Sequence, residues 1–346
     1  MHKLFSLLLI LAITTAKAQD LHISQYQSAP MHLNPAMTGM ATEGSMLSLH
    51  YRSQWAPILS NDNAFKTLSA SFEHRKNVGK TDFMGLGFGV WQDKAAGITA
   101  SQAKFSLDYA RQLAGNDAVQ HFLVGGADVS FMQRTVDFSD RRWVGQYDNN
   151  GGYDPNKLAP DYDFTNRANY DASVGLAWYS LLKNSNYIAV GVSAQHLNRA
   201  DFSLNQRSST GNLYTRYSAH FDGELRLKSR FSLQPSVLFM VQGPSLELTP
   251  GASIKCRFND QLHEDAAFRI GGWLRLVNHL DQSIAPDAFI GFARLDWRRF
   301  SFGFSYDFNI SSLKASNSAN NAVEMLLSYR FLPNGKNPIC ASPRYF

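Results

Sequence analysis

The chain has 346 residues and a formal net charge of +5, enough for one large β domain or two ordinary ones. A pI near 9.1 points only weakly to anionic partners, because a solvated or lipid-headgroup-facing surface explains it as well as nucleic acid does. Two cysteines, Cys256 and Cys340, exclude a disulfide framework and leave at most one bridge in an oxidising compartment.

The N-terminus has three parts: Lys3, an apolar run over residues 4–13, and Ala16-Lys17-Ala18. That order is a secretory signal peptide over 1–18, cleaved before Gln19 and outside the fold. Its loss lowers the net charge to +3. No cysteine lies near the cleavage site, so a lipoprotein is not expected. Residues 19–43 then precede the first strand, and Asn34-Pro35 is a turn former. This segment is expected at the periplasmic mouth or folded into a lumen, as a plug, a docking element or a cap on the first strand.

The rest has no apolar run of about 18 residues and hence no transmembrane helix. It alternates with period two, the mark of strands whose faces differ. From Leu213, odd positions read Leu, Thr, Tyr, Ala, Phe, Gly, Leu and Leu, while Arg216, His220, Asp222, Glu224 and Arg226 occupy even ones. The pattern returns at Phe300, Phe302, Phe304, Tyr306 and Phe308, set against Ser301, Gly303, Ser305, Asp307 and Asn309. About fourteen such segments are expected, near 44–52, 64–75, 81–92, 98–113, 118–136, 170–181, 186–198, 213–228, 230–241, 246–258, 265–277, 285–297, 299–313 and 321–332. Every even-numbered connection between them is tight, and the two longest, about 137–169 and 199–212, are odd-numbered. That parity fits an all-β, transmembrane, antiparallel up-and-down barrel of outer-membrane type, with both termini periplasmic. Trp55, Trp91, Trp143, Trp178, Trp297 and Tyr329 lie near strand ends and read as aromatic girdles.

No catalytic signature assembles. Gly85, Gly87 and Gly89 repeat with period two and mark the small-residue face of a strand, not a nucleotide loop. Gly79-Lys80-Thr81 lacks the required upstream glycine, where His74 stands. His263-Glu264 has no second histidine at zincin spacing, and Gly191-Val192-Ser193 lacks the closing glycine of a nucleophile elbow. Asp148 to Gly152, with Asp161 and Asp163, departs from the EF-hand pattern and reads as a surface turn. The expectation is therefore no enzyme, no cofactor and no metal. Charges such as Arg216, Asp222, Glu224 and Arg226 should face a hydrated lumen.

Ser24-Gln25-Tyr26, Pro30, Leu33-Asn34-Pro35-Ala36 and Gly39, followed by Tyr51-Arg52-Ser53-Gln54-Trp55, resemble the opening of the PorP/SprF family of type IX secretion membrane proteins. The resemblance continues through Asp93-Lys94-Ala95-Ala96-Gly97, Tyr109-Ala110, His196-Leu197, Ser305 to Ile310, and Glu324 to Phe331, and into the tail from Cys340. That tail departs from the more compact Cys-Pro-x-Phe ending of the family. The resemblance implies an outer-membrane barrel over 44–332, with a periplasmic tail over 333–346. It implies partners among the secretion-machinery proteins, or the C-terminal domain of a large secreted surface adhesin. Asn34, Pro35, Arg52, Gln54 and Trp55 carry the most specific motif and are the candidate partner-binding residues. A passive porin for small solutes is the alternative.

Overall fold

Strict alternation leaves each segment one apolar and one polar face, and an extended backbone that must find partners on both edges. The computed structural model resolves this by closure. It describes residues 23–40, 44–55, 64–95, 97–115, 119–137, 146–147, 152–154, 166–183, 186–203, 211–228, 230–258, 266–278, 283–311 and 321–331.

Fourteen strands follow in order: β1 (Gly44–Gln54), β2 (Phe65–Val78), β3 (Asp82–Ala95), β4 (Ile98–Gly115), β5 (Gln120–Val136), β6 (Arg167–Leu181) and β7 (Tyr187–Gln195), then β8 (Arg216–Arg226), β9 (Phe231–Gln242), β10 (Ser245–Arg257), β11 (Ala266–Asn278), β12 (Ile284–Trp297), β13 (Phe300–Asn309) and β14 (Ala322–Phe331). Each pairs with its sequence neighbours, and β1 pairs antiparallel with β14 from Ser45↔Phe331 to Gln54↔Ala322, closing the barrel. Closure leaves no sheet edge along the wall, the condition for a β structure in lipid.

The expected alternation sorts correctly. On β13, Phe300, Phe302, Phe304 and Phe308 face outward and are exposed, whereas Ser301, Ser305 and Asp307 face inward and are buried. On β8, Tyr217 points out while Arg216, His220, Asp222 and Glu224 point in. The outer surface is a continuous apolar band, including Leu49, Phe72, Phe88, Phe105, Val129, Leu176, Val192, Ile254, Ile270 and Met325. The tight connections β2–β3 and β12–β13 lie at one end, with the starts of β1 and β13 and the end of β14. The long connections β5–β6 and β7–β8 lie at the other. We refer to them as the tight-turn and long-loop ends.

Three local expectations need correction. Leu213 does not extend the outward face of β8. The strand starts at Arg216, and Leu213 is buried with Met132, Ala200 and Phe202, because its amide bonds Ala200 O at 3.1 Å and carries the loop inward. β7 stops at Gln195 rather than 198, since His196 takes a φ of 58° and turns the chain. Trp91 is no girdle residue: it points into the barrel, 8% exposed, where its indole donates to His32 Nδ1 at 3.0 Å. Trp178 and Trp297 do sit on the outer surface near the tight-turn end, with Trp178 stacked on His121. Cys256 is a free, half-buried thiol on β10. Trp143, Cys340, and the expected surface turn at 148–151 with Asp161 and Asp163 lie outside the described residues.

Candidate functional site in the barrel lumen

Inside the wall lies the chain's own segment 23–40. Its local form follows from its prolines. Pro30 starts a one-turn helix, Pro30–Leu33, where its missing N–H costs nothing. Pro35 disfavours helical geometry at the preceding residue, and Asn34 is extended (φ −157°, ψ 122°). The Asn34 side chain then caps a 3-10 turn, Pro35–Met37, by accepting the Ala36 N–H at 2.9 Å.

This segment crosses the lumen from end to end. Near the long-loop end, Glu324 on β14 accepts the backbone N–H groups of Ser24 and Gln25 at 2.8 and 2.9 Å. Arg52 on β1 and Arg275 on β11 both donate to Ser24 Oγ, at 2.6 and 2.9 Å, and Ser24 Oγ donates to Asp307 at 2.7 Å. Arg52 also pairs with Asp307 at 3.0 Å and Glu324 at 3.3 Å, and Arg275 with Asp307 at 3.1 Å. These charges are buried, so each must be paired to be tolerated, and the four strand-borne partners meet over one serine. Midway, Arg216 donates to His32 O at 2.9 Å, Ser193 to Leu33 O at 2.9 Å, and the Asn34 amide to Leu176 O and Val192 O, both at 3.2 Å. Near the tight-turn end, Thr38 bonds Ser106 at 2.6 Å and the Gly39 N–H donates to Glu73 at 3.0 Å.

Two apolar clusters complete the contact. Ala36, Met37 and Met40 pack with Phe83, Phe122, Val124 and Tyr179. Tyr26 and Leu33 pack with Leu238, Trp273, Ile290 and Phe292. Burial pushes the Tyr26 phenol well above its ordinary value and keeps it neutral. Inward-facing glycines make the room. A Cβ at Gly85 would strike Thr38 O, at Gly126 the Pro35–Ala36 peptide, at Gly175 the Asn34 amide, and at Gly303 the Gln25 amide. The wall is thus carved to this one segment, and the lumen is a packed core rather than a hydrated bore.

Of the candidate residues, Asn34, Pro35 and Arg52 are all buried in this interior but with separate partners, Asn34 with Leu176, Val192 and His220 and Arg52 with Ser24, Asp307 and Glu324. Gln54 sits at the end of β1, where its side-chain Oε1 accepts from Arg52 Nη2 at 3.5 Å, and Trp55 lies just beyond, half-buried at φ 62° against Phe65. Sequence reasoning missed Ser24, Arg275, Asp307 and Glu324 as a unit. Ser24, Asp307 and Glu324 each lie in a stretch that carries the family resemblance, and Arg275 offered only a charge at an inward strand position, but nothing in the sequence linked the four. Among the described residues no group of three or more His, Cys, Asp or Glu side chains is placed to hold a metal ion.

A model of the type IX secretion system membrane proteins PorP/SprF matches residues 15–329. The chain belongs to the PorP/SprF family. No curated protein shows significant similarity to it. Among solved structures, this PorP/SprF chain is similar to the CymD monoaromatic hydrocarbon channel, at 10% identity and a TM-score of 0.50 over 88% of this chain and 93% of that one. The Ralstonia pickettii toluene transporter TbuX gives 12% identity and a TM-score of 0.49 over 92% and 96%. CdiB from Acinetobacter baumannii gives 9% and 0.45 over 83% and 60%. At such identities the likeness concerns the outer-membrane barrel fold alone. The family is one of secretion-system membrane proteins.

Proposed function

We propose that this protein is a plugged outer-membrane barrel of the type IX secretion system that works by binding proteins, not by passing solutes or by catalysis. Its partners are secretion-machinery proteins or the C-terminal domain of a secreted surface adhesin. The observation that carries the reading is the segment 23–40, which bonds to strands from β1 round to β14 and spans the lumen. A passive porin needs a polar, water-filled bore, and here that space holds two apolar clusters and a bonded polypeptide.

In this reading the chain is exported through a cleaved signal peptide. The tight-turn end faces the periplasm and the long-loop end the cell exterior, as outer-membrane barrels are built. Asn34, Pro35 and Arg52 serve partners indirectly, by fixing the plug. Gln54 and Trp55 at the long-loop rim are the motif residues within a partner's reach. Conductance in planar bilayers tests the closed state. The intact protein should give no steady open-channel current, and deletion of residues 23–40 should create one. A stable current from the intact protein would overturn the plugged reading and favour a porin.

A further inference from the structure

Across β2, β3, β4 and β5 the register is continuous towards the long-loop end, so their outward residues line up in rows on the lipid-facing wall. One row sets Phe72, Phe88 and Phe105 side by side. The next row towards the long-loop end reads Ala70, Val90, Ala103 and Phe131. Alanine stands there where the row below has phenylalanine, and the missing volume leaves a groove of about 440 Å³ in the outer wall, lined by that alanine row and the row beyond it.

The row beyond is Leu68 followed by three polar side chains, Gln92, Ser101 and Gln133. One step further, Lys66 and Lys94 stand directly opposite each other on β2 and β3, with Thr99 of β4 beside Lys94. Lys94 is exposed and Lys66 half-buried, and neither makes an ion pair among the described residues. Like charges directly opposite on a sheet repel. These two sit where the outer wall changes from apolar to polar, at the headgroup level of a membrane-spanning barrel.

An anion between the two ammonium groups turns their repulsion into attraction, and the anions at that depth are lipid phosphates. We propose that this face holds a phosphate-bearing membrane lipid, its phosphate between Lys66 and Lys94 and one acyl chain in the groove over Ala70 and Ala103. The lipid's polar linkage then lies against Gln92, Ser101 and Gln133. A lipid is the occupant because paired cations, hydrogen-bonding side chains and an apolar hollow follow one another along the strands, in the order of headgroup, linkage and chain. The hollow also falls within the roughly 300–1,000 Å³ of ordinary ligand sites. Either leaflet of an outer membrane supplies lipids of this kind.

Native mass spectrometry of the detergent-solubilised full-length protein, titrated with phosphatidylglycerol, tests the site. The wild type should retain one lipid tightly, and should retain diacylglycerol of the same chains far more weakly. K66Q/K94Q, shown folded by its heat-modifiable mobility, should bind phosphatidylglycerol about thirtyfold less tightly, the weight of two cations facing a phosphate. K66R/K94R should keep the affinity, and A103F, which fills the groove, should lose it with both lysines in place. Equal binding by K66Q/K94Q, or of diacylglycerol by the wild type, overturns phosphate recognition. Undiminished binding by A103F overturns the acyl groove. Inorganic phosphate that binds as tightly as the lipid overturns the lipid as occupant.

Discussion

Ser24 shows how single residues hold the interior together. One hydroxyl takes donors from Arg52 and Arg275 and gives its proton to Asp307, so four chain segments meet at one oxygen. Replacing Arg52 with Met leaves Glu324 buried without its arginine and Asp307 with Arg275 alone. Breaking a buried pair in this way costs about 3–5 kcal/mol, so R52M should lose its compact electrophoretic form at a distinctly lower temperature than wild type. An unchanged transition would mean that the network carries no stability. The glycines give a finer probe. Gly175→Ala puts a methyl group onto the Asn34 amide, and overpacking of this kind costs about 1–3 kcal/mol. It should speed proteolysis within residues 23–43. Gly291→Ala, on the outer face with ordinary clearance, should not. At this scale the sequence is half legible. Arg52 stands out in a specific motif, but Asp307 lies 255 positions away, and no local pattern links two charges across a closed sheet.

At the scale of elements, alternation was readable because each strand keeps one lipid face and one inner face, and a single slip of register would exchange them. The ends were less readable where tertiary contacts override the pattern. Leu213 looks like one more outward residue, yet it is drawn inside by Met132 and Phe202. Trp91 looks like an interface anchor but serves His32. The lipid-facing assignment predicts a gradient along β13. Phe304→Arg, within the strand, should destabilise the inserted barrel by about 2–4 kcal/mol, and Phe300→Arg, at its start, by about 0–1 kcal/mol. Reversible denaturant unfolding from lipid vesicles measures both. Equal costs at the two positions would show that the outer face does not follow bilayer depth.

For the whole molecule, the barrel class could be read from strand number and loop parity, and a plug was one of the readings of residues 19–43, but the sequence did not say what would seat it. Asn34-Pro35 announces a turn, and only the structure shows the small inward positions at Gly85, Gly126, Gly175 and Gly303 closing around it. Those glycines lie on four different strands, each ordinary by itself. On the plugged-barrel proposal, a wall shaped to its own N-terminal segment conducts poorly and the rims are the working surfaces. The most direct test of this account is affinity capture of the intact, tagged protein from detergent-solubilised outer membranes, with mass spectrometry of what accompanies it. We predict recovery of type IX secretion proteins or of one very large surface protein. Recovery of the barrel alone, together with steady channel currents from that same preparation, would contradict it.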